Sequence, residues 1–480
     1  MSGTLFARLS PTSWVTVQTL YTQLFAIGVF AVQAPLLGPH AFGLIAIVMV
    51  LIGFCESVLA DGTIEVLISV RDIEPAHYAT MNGVVVLVST LLGAALMLTA
   101  LPLARLFQEP QLASVLRSMA VLPLVSSLAC APTAATKRRM EFMPLTIRMT
   151  AGITAGGIVG IVLTLTGAGV WALVWQAIVQ RVVSVAVLWS NSPLPLRLSL
   201  SSSHWRELAG FAGPLALSKT MAWASMQLPR FILGLSLTVT DLGLYSLAAR
   251  LSDILREVLL APPYAVARIA LRRFLADRNG LEQAVSALMR RMGAFCFPLC
   301  LGGAVLAPTL IHVWLNPKWF GAILAAQVLL VSCASSVTFY GGGALFLSQN
   351  QQHSEALVTT LQTVTVVLVV LAFGSYGLGV VTLAMAVRPF LLIPLEASLA
   401  RRTCGVSARA LLGSQLPTLS AAAASAALVL LLREPINTLL GAPAGLVTGG
   451  VLGLGLYALL LKAWAPRELH QIMHRVHADT

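Results

Sequence analysis

Charge is scarce in this chain. Of 480 residues, 18 are acidic and 30 are basic, 10% together. Soluble domains carry about 25% charged residues. The hydrophobic share is 58% and the mean hydropathy is +0.87. A globule cannot keep that much apolar surface from water, so the composition excludes the soluble enzyme classes. It predicts an all-α integral membrane protein.

Cysteine is also sparse. The six are Cys55, Cys130, Cys296, Cys300, Cys333 and Cys404. Five fall in apolar segments and none forms a C-x-x-C pair, which argues against a zinc ribbon or a redox motif. Cys296 and Cys300 stand one helical turn apart with no His or carboxylate beside them, so they read as small core residues and no metal site is expected. There is no glycine-rich phosphate loop, no metal-ligand cluster and no long outer loop for a catalytic domain. We therefore expect no enzymatic activity and no cofactor. The net charge of +12 comes without any nucleic-acid signature. In a membrane protein such an excess sits in cytoplasmic loops.

What the chain does have is long apolar runs. A 20-residue window gives about fourteen spans, within a range of twelve to fourteen. They fall at 12–33, 41–60, 80–103, 113–133, 148–166, 168–189, 207–228, 240–262, 288–309, 321–345, 356–374, 377–396, 415–433 and 443–464. The first is too long for a signal-peptide core and is read as retained. Lys137, Arg138, Arg139, Arg197, Arg268, Arg272, Arg273, Arg401 and Arg402 share one set of loops. The opposite loops hold only Arg105, Lys318 and Arg433. Both termini are thus predicted cytoplasmic, in a bacterial inner membrane. The longest loop, around Ala265–Met289, predicts a surface helix broken at Asn279–Gly280. His470, His474 and His477 share a face of a solvated tail helix.

One phrase recurs. "LGPHAFGLIAIVMVLIG", Leu37 to Gly53, aligns without a gap on "LTVTDLGLYSLAARLSD", Leu237 to Asp253. Leu37 meets Leu237, Gly43 meets Gly243 and Leu44 meets Leu244. The offset is six spans, an even number, so the repeat is parallel. It divides the chain into a six-helix lobe at 1–190, a linker at 191–206, a second six-helix lobe at 207–400, and two further helices with a tail at 401–480. The expected fold is two pseudo-symmetric lobes about a central cleft, which suits a transporter.

A Lys or Arg at a helix centre costs about 2.5–3.5 kcal/mol on insertion scales, so such residues face a cavity or a partner. Lys219, Arg250 and Arg388 lie mid-span, and Arg117 near the outer end of its span. Lys219 and Arg388 have no acidic residue within a turn. A basic cleft fits an anionic passenger such as a lipid pyrophosphate, with Arg as a bidentate donor and Lys as a point charge. Among the few acids, Glu56, Asp61 and Asp253 are read as coupling or structural charges, Asp253 standing three residues after Arg250. Arg181, Arg256 and Glu257 read as structural pairs or snorkelling ends.

The segments "LLGPHAFGLIAIVMVLIGFCESVLADGTIEVLI", "FQEPQLASVLRSMAVLPLVSSLACAPTAATKRRMEF", "TGAGVWALVWQ" and "LGLYSLAARLSDI" resemble bacterial polysaccharide (oligosaccharide) flippases. These belong with the multidrug and toxin extrusion transporters and the lipid II flippases. The likeness covers about the first 350 residues, in order. It implies twelve to fourteen helices and transfer of a polyprenyl-pyrophosphate-linked sugar unit to the periplasmic leaflet. It also implies basic roles for Arg230 and Arg250. One departure is clear: an Asn-x-Asp-Arg-like run of relatives reads Gln227-Leu228-Pro229-Arg230 here. A cation-coupling role is therefore not carried over to that place.

Two other functions compete with this one. A drug or cation antiporter wants carboxylates in the cleft; span 12–33 has none, and span 207–228 has none past Glu207 at its first position. A membrane polymerase or ligase wants catalytic groups that are not visible. The expected partners are a lipid-linked oligosaccharide, membrane lipids and a polysaccharide polymerase or export machinery, with the chain itself a monomer.

Overall fold

The computed structural model describes residues 11–57, 62–70, 73–192, 194, 197–206, 208, 227, 231–275 and 277–464. Every regular element among them is a helix. The chain divides into two compact units, Met1–Gly243 and Leu244–Thr480.

The first unit holds α1 (Pro11–Leu36), α2 (Pro39–Glu56), α3 (Gly62–Ser69), α4 (Pro75–Leu106), α5 (Pro110–Met119), α6 (Leu122–Ser127), α7 (Cys130–Arg138), α8 (Met143–Leu165), α9 (Val170–Ser190) and the first turn of α10 (Val239–Leu259). Proline opens α2, α4, α5, α6 and α8. Its fixed φ suits a helix start, and the missing amide was an orphan there anyway. The span expected at 113–133 is therefore not one smooth helix. It runs as α5, α6 and α7, broken before Pro123 and again at Leu128–Ala129, because a proline inside a helix removes a donor and crowds the preceding turn. The whole run Pro110–Arg138 is still long and apolar enough to cross a membrane.

Val66, Leu67, Tyr78, Met81 and Cys130 bury a core where α3, α4 and α7 meet. Arg138 donates through Nη1 to the carbonyls of Leu67 and Ile68 at 3.0 and 3.1 Å. Those carbonyls end α3 without helical partners, and the guanidinium satisfies them. α2 lies against the opening turn of α10. A Cβ at Gly43 would run into the carbonyl oxygen of Val239, and one at Gly243 into that of Pro39. The glycines that align in the sequence repeat thus also meet in space, each letting a backbone approach as a side chain would not.

The second unit continues with α11 (Ala261–Ala270), α12 (Arg278–Trp314), α13 (Ala322–Cys333), α14 (Ser336–Ser348), α15 (Gln352–Phe373), α16 (Leu378–Leu399), α17 (Leu416–Leu440) and α18 (Ala442–Trp464). α12 is the central rod, packed on α13, α17 and α18. The expected break at Asn279–Gly280 is displaced. Asp277 caps α12, its Oδ1 accepting from the Gly280 amide at 3.0 Å. Residues 279 and 280 therefore lie in the first helical turn.

Among the described residues eleven stretches are long and apolar enough to cross a membrane, and Tyr21–Leu36 of α1 is a shorter apolar one. The expected span 207–228 lies mostly outside the described residues. The one at 240–262 is present as α10, but Asp241, Arg250, Asp253, Arg256 and Glu257 make it the less apolar helix. The tail histidines lie outside the described residues.

Candidate functional site

α8 and α9 pack with their backbones close together. Gly152 and Gly156 stand one turn apart on α8, and a Cβ at either would come within 2.7 and 2.6 Å of the Gln180 and Gln176 carbonyl oxygens. Small residues four apart are what lets two membrane helices touch along a seam. Gln33 of α1 joins the seam, its Nε2 donating to Gln176 Oε1 at 2.7 Å. This packing sets Gln180 and Arg181 beside Arg148, one turn before Gly152.

A cavity of about 400 Å³ opens there, lined by Glu56, Ser126, Thr133, Arg148, Gln180 and Arg181 among others. Arg181 holds Glu56 side-on, Nε to Oε1 and Nη2 to Oε2 at 3.2 Å each. Ser126 donates its hydroxyl to Oε1 of the same carboxylate. Arg148 donates through Nη1 to Thr133 Oγ1 at 3.1 Å. Its Nε is buried and makes no hydrogen bond, and no carboxylate pairs with it among the described residues. One glutamate therefore faces two arginines. The uncompensated guanidinium sits inside apolar helices, where a lone charge is costly and attracts an anion. Arginine meets phosphate or carboxylate with two parallel donors.

The residues expected to form a basic cleft are dispersed. Lys219, Arg230 and Asp61 lie outside the described residues. Arg117 is exposed on α5, and Glu56 lines the cavity of the first unit. In the second unit Arg250 and Asp253 lie on α10, and Asp253 accepts from Arg256 Nη1 at 3.0 Å. Arg388 of α16 donates to the Gln362 carbonyl, and Tyr245 and Arg256 are its electrostatic neighbours. A larger cavity of about 1340 Å³ lies beside the start of α12, lined by Glu282, Arg290, Arg291, Ser407 and Arg409. Its charged lining carries both signs, on the first half of α12 and on the helical turn Ala408–Leu411.

Three features escaped the sequence reading. Arg148, the first residue of the expected span 148–166, was not singled out. Arg181, read as a structural pair or a snorkelling end, pairs with Glu56, and the pair lines a cavity. Glu396 was passed over; it is buried on α16 with neither carboxylate oxygen hydrogen-bonded. Its only signal was an acid near the end of an apolar run.

Comparison with known proteins bears on this arrangement. The family model described as polysaccharide biosynthesis protein matches residues 32–324. The succinoglycan biosynthesis transport protein ExoT of Rhizobium meliloti (strain 1021) is 23% identical over 319 residues, 65% of this chain. The chain spans 64% of the length of that curated relative. Among solved structures, the lipid II flippase MurJ in an inward closed conformation superposes with a TM-score of 0.75 at 10% identity, over 95% of this chain and 99% of the other. An inward-facing multidrug resistance MATE family transporter of the MOP superfamily gives 0.60 at 17% identity, over 80% and 96%. At these identities the likeness shows the fold.

Proposed function

Because the chain belongs to the polysaccharide biosynthesis protein family, we propose that it is a flippase for a polyprenyl-pyrophosphate-linked oligosaccharide, working by alternating access in the bacterial cytoplasmic membrane. The observation that carries this reading is Arg148, a buried guanidinium in a polar cavity with an unused donor and no carboxylate of its own. A pyrophosphate supplies the missing acceptors, and the sugar follows the headgroup. Arg117 in the first unit, and Arg250 and Arg388 in the second, are proposed as further basic contacts, together with Lys219 and Arg230. Membrane potential favours outward movement of an anion by about 2.3 kcal/mol per charge per 100 mV. A polysaccharide polymerase or export complex is the proposed recipient. A cationic-drug antiporter is disfavoured by the positive balance of the cavity.

The test is export of polysaccharide by a strain that lacks the gene and carries variants of it. A charge-assisted hydrogen bond is worth about 1.5–3 kcal/mol, roughly ten- to a hundredfold. Arg148→Ala should lower export by that factor at unchanged abundance in the membrane, and Arg148→Lys should restore part of it. Normal export by Arg148→Ala at normal abundance would refute the assignment.

A further inference from the structure

Three cysteine sulfurs converge inside the second unit. Cys296 and Cys300 follow each other by one turn on α12, and Cys333 ends α13, where the helix breaks before α14. The Sγ atoms of Cys296 and Cys300 are 3.5 Å apart, and all three lie within 4.8 Å of one another. Each residue has no solvent exposure. In sequence the α12 pair reads as core packing, because no His or carboxylate stands beside it. The third comes from a helix 33 residues further on (333 − 300), which spacing along the chain does not reveal.

We propose that Cys296, Cys300 and Cys333 form a site for a soft monovalent d10 cation, with Cu(I) as the natural class and Ag(I) as its surrogate. The donor set selects the metal. Thiolate sulfurs prefer Cu(I) and Zn over the hard cations. Zinc takes four ligands in a tetrahedron, and no His, Asp or Glu side chain joins this cluster among the described residues. Three sulfurs around one ion at about 2.3 Å stand about 4 Å apart in a planar triangle. That spacing falls within the 4.8 Å limit found here, close to the 3.5 Å pair, so the triangle forms by small side-chain movements.

The step balances. Binding forms three metal–sulfur bonds, breaks three S–H bonds and releases three protons to solvent, with no change in oxidation state. The three sulfurs and the ion together go from one positive charge to two negative. The Arg256 guanidinium is an immediate neighbour of Cys333 and stands where that charge develops. Packing alone demands neither a third sulfur nor an arginine beside it.

The experiment uses the full chain, purified in detergent, reduced and freed of metal, then loaded with Cu(I) under anaerobic conditions. The wild type should retain one copper per chain through desalting, with three sulfur neighbours in the copper X-ray absorption spectrum. Cys333→Ser should lose the bound copper, while Cys404→Ser, outside the cluster, should keep it. Where Cys333→Ser fails to accumulate, Cys296→Ser is the second variant, read with Ag(I) by native mass spectrometry. Equal copper retention by Cys333→Ser and Cys404→Ser, or no copper on the wild type, would overturn the proposal. So would a bound ion with nitrogen or oxygen neighbours.

Discussion

Arg181 meets Glu56 side by side, Nε and Nη2 each 3.2 Å from a different carboxylate oxygen. The pair joins α9 to α2 across 125 residues of chain, and Ser126 of α6 fixes it from a third direction. Neither side chain is fully buried; 32% of the arginine and 20% of the glutamate side chain remain exposed.

This geometry predicts a non-additive pair. Removing one partner of a buried ion pair costs about 3–5 kcal/mol, and an apolar replacement of both is often neutral. Partial exposure lowers that figure here. Glu56→Gln and Arg181→Met should each lower the unfolding temperature in detergent, and the double variant should recover part of the loss. A coupling near zero in the double-mutant cycle would show two independent residues.

How much of this was legible beforehand differs from part to part. The all-helical membrane class followed from composition, since burying apolar area against lipid is the only way to satisfy it. Most spans followed from run length. The helix of α10 was expected from the same run at 240–262, despite its charges. The cavity was not legible. It depends on Gly152 and Gly156 letting α9 approach α8, and on the break at Pro123 turning Ser126 toward Glu56. Nothing local in the sequence distinguishes those glycines from the many others in the chain.

Gly43 and Gly243 should be intolerant of even a methyl group. Alanine at either would press a Cβ against a backbone carbonyl, and backbone cannot rotate away as a side chain can. Gly43→Ala should lengthen the distance between spin labels at Pro39 and Val239, while Gly302→Ala, with nothing within 4 Å of its Cβ, should change nothing. An unchanged distance in Gly43→Ala would mean that the two helix starts do not touch.

Glu396 is the opposite case, a buried acid whose removal should help the fold. Burying an unsatisfied polar group costs about 1–3 kcal/mol. Glu396→Met, similar in length, should leave the unfolding temperature unchanged or raised. A fall of several degrees would show that the carboxyl has a partner essential to the fold.

The proposed orientation is tested by labelling. Cysteines at Gln111 and Lys318, both exposed, should react in intact cells with an impermeant thiol reagent, on a background without the native six. One at Lys137, also exposed, should not. Arg138 is unsuitable because it holds the end of α3. Labelling at 137 alone would invert the topology.

The 37 residues of α12 make a rod of about 55 Å at 1.5 Å per residue, while the hydrocarbon layer is about 30 Å thick. Charge is confined to its first part, Arg278 to Arg291, and the stretch from Met292 to Trp314 has none. No proline interrupts the helix before Pro298. Its charged beginning is no free arm: Leu281, Val285 and Met289 are buried in the core of the second unit, and Ser407 donates to Glu282. The helix is a keel laid through the unit, so a push on the segment Arg278 to Arg291 turns the apolar remainder with it, with no joint before Pro298.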